Sequence, residues 1–272
     1  MEEATIDEAS IVSPGTSITT AKVLFMMADY GHDPTETAVP YTVFKNAGYE
    51  IKFATEAGKA PQCDKKMLEG ITQKIFGAKR EVVAMYRKMV LSSEVQHPLA
   101  WWDASFSLDP FDVVVLPGGH DKGVRQIIDS ARVHELMVDY FPKTRKPAGR
   151  KVVAAICHGV LVLASSKDVE GRSVIRECLT TTLPAKMEQA VYLATCPFLG
   201  DHYKTYGAGS EDTEKTVIRA LGHPAQFKSS LNPGGFIVED EKYNYISARY
   251  PGDAYLFAEE IIKLIESFSR IQ

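Results

Sequence analysis

The chain has 272 residues, 45% hydrophobic and 24% charged, with a net charge of −4. That length suits one large α/β domain or two small ones, and the composition is ordinary for a soluble globular protein. A pI near 6.0 and the lack of a long Lys/Arg stripe argue against a nucleic-acid partner.

The four cysteines, Cys63, Cys157, Cys178 and Cys196, are widely spaced and form no CxxC pair. This pattern argues against a zinc site or a disulfide scaffold and for a reducing compartment. No metal is expected. No run reaches the roughly 18 apolar residues of a membrane span, so no membrane partner is expected either. Residues 1–20 are acidic and Ser/Thr-rich, unlike a signal peptide. They read as a loose arm, with a cytoplasmic location as the default.

In chain order, Lys22–Ala28 is the first buried strand, and Asp29–Pro34 is a loop at its end. Thr35 is the expected cap of a helix from about Glu36 to Asn46, closed by Gly48. Tyr49–Thr55 is the second strand. A strand–helix–strand unit of this length indicates a parallel sheet. Ligands on such sheets gather at the C-terminal strand ends, where 29–36 lies.

Residues 56–103 interrupt the pattern. A turn at Ala57–Pro61 precedes a helical stretch over 64–93, in which Val82, Val83, Tyr86, Met89 and Val90 share one face. This reads as a helical cap or insertion on a single domain spanning 21–272. Trp101 and Trp102 either line a pocket or dock the insertion on the body.

Phe111–Leu116 is the third parallel strand, ending in Pro117-Gly118-Gly119-His120. The two glycines permit close backbone approach and leave an N–H free for a ligand. A helical stretch over Val124–Phe141 and a basic loop lead to Val152–Ile156, an apolar central strand. It runs straight into Cys157-His158-Gly159 and an apolar helix from Val160. That is the layout of a strand-to-helix nucleophile elbow, with the thiol at a helix N-terminus that favours thiolate. The same segment is compatible with Cys157 as a small packed hydrophobe.

Cys178–Leu183 reads as a further strand, Pro184 as the first residue of a helix carrying Glu188, and Gly235–Ser247 as a hairpin turning near Asp240–Lys242. The final amphipathic helix opens at Pro251 and Asp253 and buries Phe257, Ile261 and Ile265.

Glu36-Thr-Ala-Val-Pro40, Val115-Leu-Pro-Gly-Gly119, Ala154-Ala-Ile-Cys-His-Gly159 and Ser247-Ala-Arg-Tyr-Pro-Gly-Asp253, in that order, resemble the ThiJ/PfpI superfamily over most of residues 21–268. The Cys-His dipeptide, the insertion and Pro184-x-x-x-Glu188 resemble its class I glutamine-amidotransferase-like, chaperone and glyoxalase III branch. The resemblance implies a flavodoxin-like α/β sandwich with helices on both faces, and a homodimer. It implies Cys157 as nucleophile, His158 as general acid/base, Glu36 as a protonated carboxyl on the thiol, and Glu188 as the acid orienting His158. It places the oxyanion and substrate-binding positions at Gly118, Gly119 and His120, with the His158 backbone N–H joining Gly119. No cofactor is implied. The activity implied is conversion of methylglyoxal to lactate, with deglycase action and a stress role as companions.

Other readings remain. A glutamine amidotransferase expects a distant His-x-Glu pair, but His223-Pro224-Ala225 has alanine where the glutamate belongs. An α/β hydrolase places its histidine well after the nucleophile, whereas His158 is adjacent. A peptidase of this superfamily takes its acid from a neighbouring subunit. A hydratase, lyase or isomerase would use Tyr86, Trp101 and Trp102 to shape a pocket for a bulkier metabolite. A stress chaperone or redox sensor would oxidise Cys157 to sulfinate beside Glu36.

Overall fold

The computed structural model describes residues 20–269 apart from 71–72 and 74–76. The arm assigned to 1–20 lies, save for Thr20, outside the described residues. The centre is a seven-stranded sheet. Its first half comprises β1 (Lys22–Met26), β3 (Glu50–Thr55), β5 (Leu99–Ala100) and β6 (Val113–Leu116). The second half comprises β7 (Val152–Ile156), β8 (Ile237–Glu239) and β9 (Tyr245–Ala248). The order is β5-β3-β1-β6-β7-β9-β8, parallel except for β8. Two short strands, β2 (Tyr30–His32) and β4 (Gln62–Cys63), pair separately.

The apolar strands predict burial on both faces, and the structure shows it. Leu24, Met26, Val114, Leu116, Val153 and Ala155 face one core. Val23, Phe25, Val115, Val152, Ala154 and Ile156 face the other. This is the period-2 alternation of a strand between two helical layers. On the first face lie α4 (Arg125–Ile128), α5 (Ala131–Tyr140), α6 (Val160–Ser165) and α8 (Thr213–Ala220). On the second lie α1 (Pro34–Asn46), α2 (Arg80–Val90) and α9 (Ala254–Ser269). The short α3 (Ser93–Gln96) follows α2, and α7 (Ala185–Leu199) lies beyond the C-terminal strand ends. No helix among the described residues is long and apolar enough to cross a membrane.

Several local expectations need correction. Asp33, not Thr35, caps α1: its carboxylate accepts the Thr35 and Glu36 N–H groups at 2.7 and 3.1 Å. Pro184 is the cap of α7, with Ala185 the first helical residue. The 124–141 stretch breaks at Asp129, and Ser130 caps α5. Residues 178–183 form no strand. Their threonines have strand-like propensity, but the place beside β7 is held by β9. The segment crosses the strand ends instead, through a single bridge between Thr180 and Phe227.

Within 56–103, the helical elements include the turn 65–67, α2 and α3. The α2 face packs on α1, β4 pairs with β2, and β5 extends the sheet beside β3. Trp101 is fully buried in the core and Trp102 is exposed. The Tyr86 hydroxyl accepts the Cys63 N–H at 2.8 Å and lies 3.2 Å from His32 Nε2. Trp101 and Tyr86 therefore dock the insertion while Trp102 faces outward; none of the three lines the cleft described next.

Candidate active site

The C-terminal ends of β2, β6 and β7 and the start of α7 enclose a cleft of about 290 Å³. Four of the expected residues, Glu36, Cys157, His158 and Glu188, line it together with Gly119 and His120.

Cys157 sits at the turn between β7 and α6 with φ 57°, alone among the described non-glycine residues in having positive φ. A side chain there costs on the order of 1–3 kcal/mol unless the surroundings enforce it. Three contacts do so. The Thr182 hydroxyl donates to the Cys157 carbonyl at 2.7 Å. A Cβ on Gly159 would lie 2.0 Å from the Leu116 carbonyl oxygen, so only glycine lets α6 start this close to β6. A Cβ on Gly118 would lie 2.7 Å from both Glu36 Oε2 and the His158 nitrogen. The elbow therefore depends on the loop after β6 as much as on its own sequence.

Glu36 lies in the first turn of α1 and is fully buried. Its Oε2 accepts the Gly118 N–H at 2.8 Å, and its Oε1 has no hydrogen-bond partner among the described residues. Burial, with Asp33 nearby, lifts its carboxyl well above the usual carboxylate range. The Asp33 N–H donates to the Gly118 carbonyl at 2.9 Å, which ties the start of α1 to the glycine loop.

The thiol departs from expectation. Burial and the acids Glu36 and Asp33 push Cys157 well above the normal thiol range, opposed only in part by the His158 backbone N–H. The helix terminus does not overcome desolvation, so the resting site holds a thiol. The adjacent histidine, which sequence neighbours rarely allow, reaches the sulfur: His158 Nδ1 is 3.4 Å from Sγ. Burial lowers the His158 pKa to about 4, keeping the ring neutral.

Glu188 does not orient His158 through a hydrogen bond. Its Oε1 accepts from Lys204 Nζ at 3.0 Å and its Oε2 from the Thr213 N–H at 2.8 Å. Lys204, itself buried, also donates to Asp212 at 2.6 Å. The Glu188 charge still favours the protonated ring, but His158 Nε2 has no hydrogen-bond partner among the described residues. Of the three loop positions, Gly118 spends its N–H on Glu36, whereas Gly119 and His120 face the cleft.

Sequence reasoning missed Thr182, Lys204 and Asp212, whose partners are distant in the chain. It also gave no role to Arg249 and read Asp253 only as part of the opening of the final helix; both are fully buried. The Arg249 guanidinium forks onto the Asp253 carboxylate, Nε to Oδ2 at 2.9 Å and Nη2 to Oδ1 at 2.7 Å. That pair fixes the intervening Tyr250-Pro251-Gly252, which forms one wall of the cleft. Leu183, Met187 and Val191 make another wall apolar.

This arrangement can deprotonate a thiol as it attacks and present beside the sulfur a carboxyl lifted well above the usual carboxylate range. The sequence profile of the ThiJ/PfpI family-like group matches residues 27–245. An uncharacterized protein of Schizosaccharomyces pombe is 29% identical over 252 residues, covering 91% of this chain and 85% of that protein. Glyoxalase III of Candida albicans superposes with a TM-score of 0.63 at 20% identity, covering 90% of this chain and 97% of that one. The 24 kDa rapid encystment protein of Francisella tularensis gives 0.62 at 19%, covering 90% and 99%. At those identities the two structures speak for the fold.

Proposed function

Because the chain belongs to the ThiJ/PfpI-like family, we propose that it is a cofactor-independent cysteine enzyme acting on small reactive carbonyls. The reaction is that of a glyoxalase III: methylglyoxal and water give lactate, without glutathione. The observation that carries this reading is the buried Cys157 thiol, held at positive φ with a neutral imidazole nitrogen 3.4 Å from its sulfur.

The chemistry follows from the protonation states. His158 Nδ1 takes the thiol proton as sulfur bonds to the aldehyde carbon, so thiolate forms only as it is consumed. The carbonyl oxygen gains the electron pair and, facing the Gly119 and His158 backbone N–H groups, takes the proton back from the His158 ring, which gives a hemithioacetal and a neutral imidazole again. His158 then removes the proton from the former aldehyde carbon, giving an enediol. The neighbouring carbon is reprotonated, which leaves a thioester of lactate on Cys157. Water cleaves the thioester, returning the thiol proton and releasing lactate. Glu36, its carboxyl lifted well above the usual carboxylate range, donates from its otherwise unpartnered Oε1 as the adduct forms and holds it in place. Glu188 supplies negative charge that favours the imidazolium formed in the first step.

The apolar walls at Leu183, Met187 and Val191 suit the carbon substituent of the oxoaldehyde. Deglycase action, a homodimer and a cytoplasmic location accompany this reading. The test is production of lactate from methylglyoxal by the purified protein without glutathione; a protein that forms none does not carry out this reaction.

A further inference from the structure

Three side chains from distant parts of the chain converge on one point at the edge of the cleft. Asp64 caps the turn 65–67 of the insertion, His120 ends the glycine loop after β6, and His202 lies beyond α7. Asp64 Oδ2 is 2.9 Å from His202 Nε2 and 3.2 Å from His120 Nε2. The two Nε2 atoms are 3.3 Å apart. The Asp64 side chain is 1% exposed, and those of His120 and His202 are 12% and 11% exposed.

Asp64 Oδ2 can accept from both imidazoles as Nε2–H donors, which holds the two ring nitrogens only 3.3 Å apart. A cation at the centre would instead take one lone pair from each of the three residues.

The dimensions fit. With zinc bonds of about 2.0–2.1 Å, neighbouring ligand atoms lie about 3.3–3.4 Å apart in a tetrahedron and about 2.9 Å apart in an octahedron. The observed edges, 2.9 to 3.3 Å, span those values. Two imidazoles and one carboxylate suit zinc or another borderline divalent ion better than magnesium or calcium, which prefer all-oxygen sites. The surroundings hold the ligands in place, as outer groups do at metal centres. Asp64 Oδ1 accepts the Lys66 N–H at 3.0 Å, the Tyr203 ring stacks on His120 at 4.1 Å, and Asp121 lies 4.0 Å from His202 Nδ1.

We propose that Asp64, His120 and His202 bind one zinc-class divalent cation. Its position is the wall of the Cys157 cleft, which His120 also lines. The ion ties together the insertion, the glycine loop and the segment after α7. The cysteine pattern gave no hint of it, because none of its ligands is a cysteine.

The test titrates Zn²⁺ into chelator-treated full-length protein carrying Cys157→Ser, so that binding at the catalytic thiol is not mistaken for this site. One equivalent should bind. Co²⁺ should give the visible ligand-field bands of a site with nitrogen and oxygen donors and three protein ligands. His202→Gln and Asp64→Asn should each weaken Zn²⁺ binding by at least about a hundredfold and abolish the Co²⁺ bands, with the circular dichroism unchanged. Zn²⁺ should also raise the thermal midpoint of the Cys157→Ser protein, a readout that needs no second variant to fold. Absence of stoichiometric Zn²⁺ binding, absence of that rise, or binding left intact by both substitutions overturns the assignment. These outcomes are independent of whether methylglyoxal is a substrate.

Discussion

The neutral state of His158 makes a quantitative prediction about acid. Burial takes the ring from an ordinary 6.5 to about 4. As the base that accepts the thiol proton, it should set the acid limb of kcat/KM near pH 4. At pH 5.5 only about 3% of such a ring is protonated, against roughly 90% of an unperturbed one. Activity at pH 5.5 should therefore stay within a few per cent of its neutral value, whereas an ordinary histidine would cost about tenfold. The same shift appears in stability. A folded-state pKa below the unfolded value means that the unfolded chain binds the proton first. Stability is then fully present above about pH 6.5 and declines as the pH falls toward 4. The loss from this ring is on the order of 3 kcal/mol. His32, also buried and lowered to about 3, contributes in the same direction, so the His158 share is isolated by comparison with His158→Gln. Urea unfolding of both proteins at pH 7 and pH 4.5 gives that difference, and initial rates from pH 4 to 8 give the limb. An acid limb between pH 6 and 7, with no difference in the pH dependence of unfolding, would refute the claim of a neutral, desolvated base.

Three further outcomes follow from the same geometry. Iodoacetamide at neutral pH should label the partly exposed Cys196 well before Cys157, whose thiol burial and Glu36 hold protonated; peptide mapping that finds Cys157 labelled first would restore the thiolate expected from its helix position. Gly118→Ala should displace the Glu36 carboxyl, because the added Cβ falls 2.7 Å from Oε2; kcat/KM should fall by roughly a hundredfold, and wild-type activity would show that the contact is irrelevant. Lys204→Met leaves Glu188 and Asp212 buried without the cation that bonds both; calorimetry or denaturant unfolding should show a loss of about 3–5 kcal/mol, and a loss under 1 kcal/mol would mean that water reaches both carboxylates.

Those predictions rest on features that were unequally legible in the sequence. The apolar runs at 22–26, 113–116 and 152–156 form central strands, since a parallel strand buried on both faces tolerates little else. The abrupt change from strand to helix around Cys157-His158-Gly159 shows the elbow in its residue types. Its electrostatics were not legible in the same way. The helix N-terminus argued for thiolate, but desolvation dominates once Glu36 and Asp33 are seen packed beside the sulfur. Thr180, Thr181 and Thr182 misled for a related reason. Their strand propensity is real, but propensity carries no information about which segment wins the place beside β7. Thr182 supports the elbow by bonding the Cys157 carbonyl. Glu188 was placed at the cleft by the resemblance that Pro184-x-x-x-Glu188 carries, yet its partner Lys204 belongs to a loop with no periodic pattern. The triangle of Asp64, His120 and His202 joins residues up to 138 positions apart, and only the folded chain brings them together.

Under the proposed function, Cys157 is the nucleophile in a carbonyl-to-hydroxyacid conversion. Lactate formation from methylglyoxal by wild type and by Cys157→Ala, the latter verified as folded by circular dichroism, tests it most directly. Wild type should form lactate, and the variant should lose roughly a thousandfold or more of the rate. Undiminished lactate formation by Cys157→Ala would contradict it.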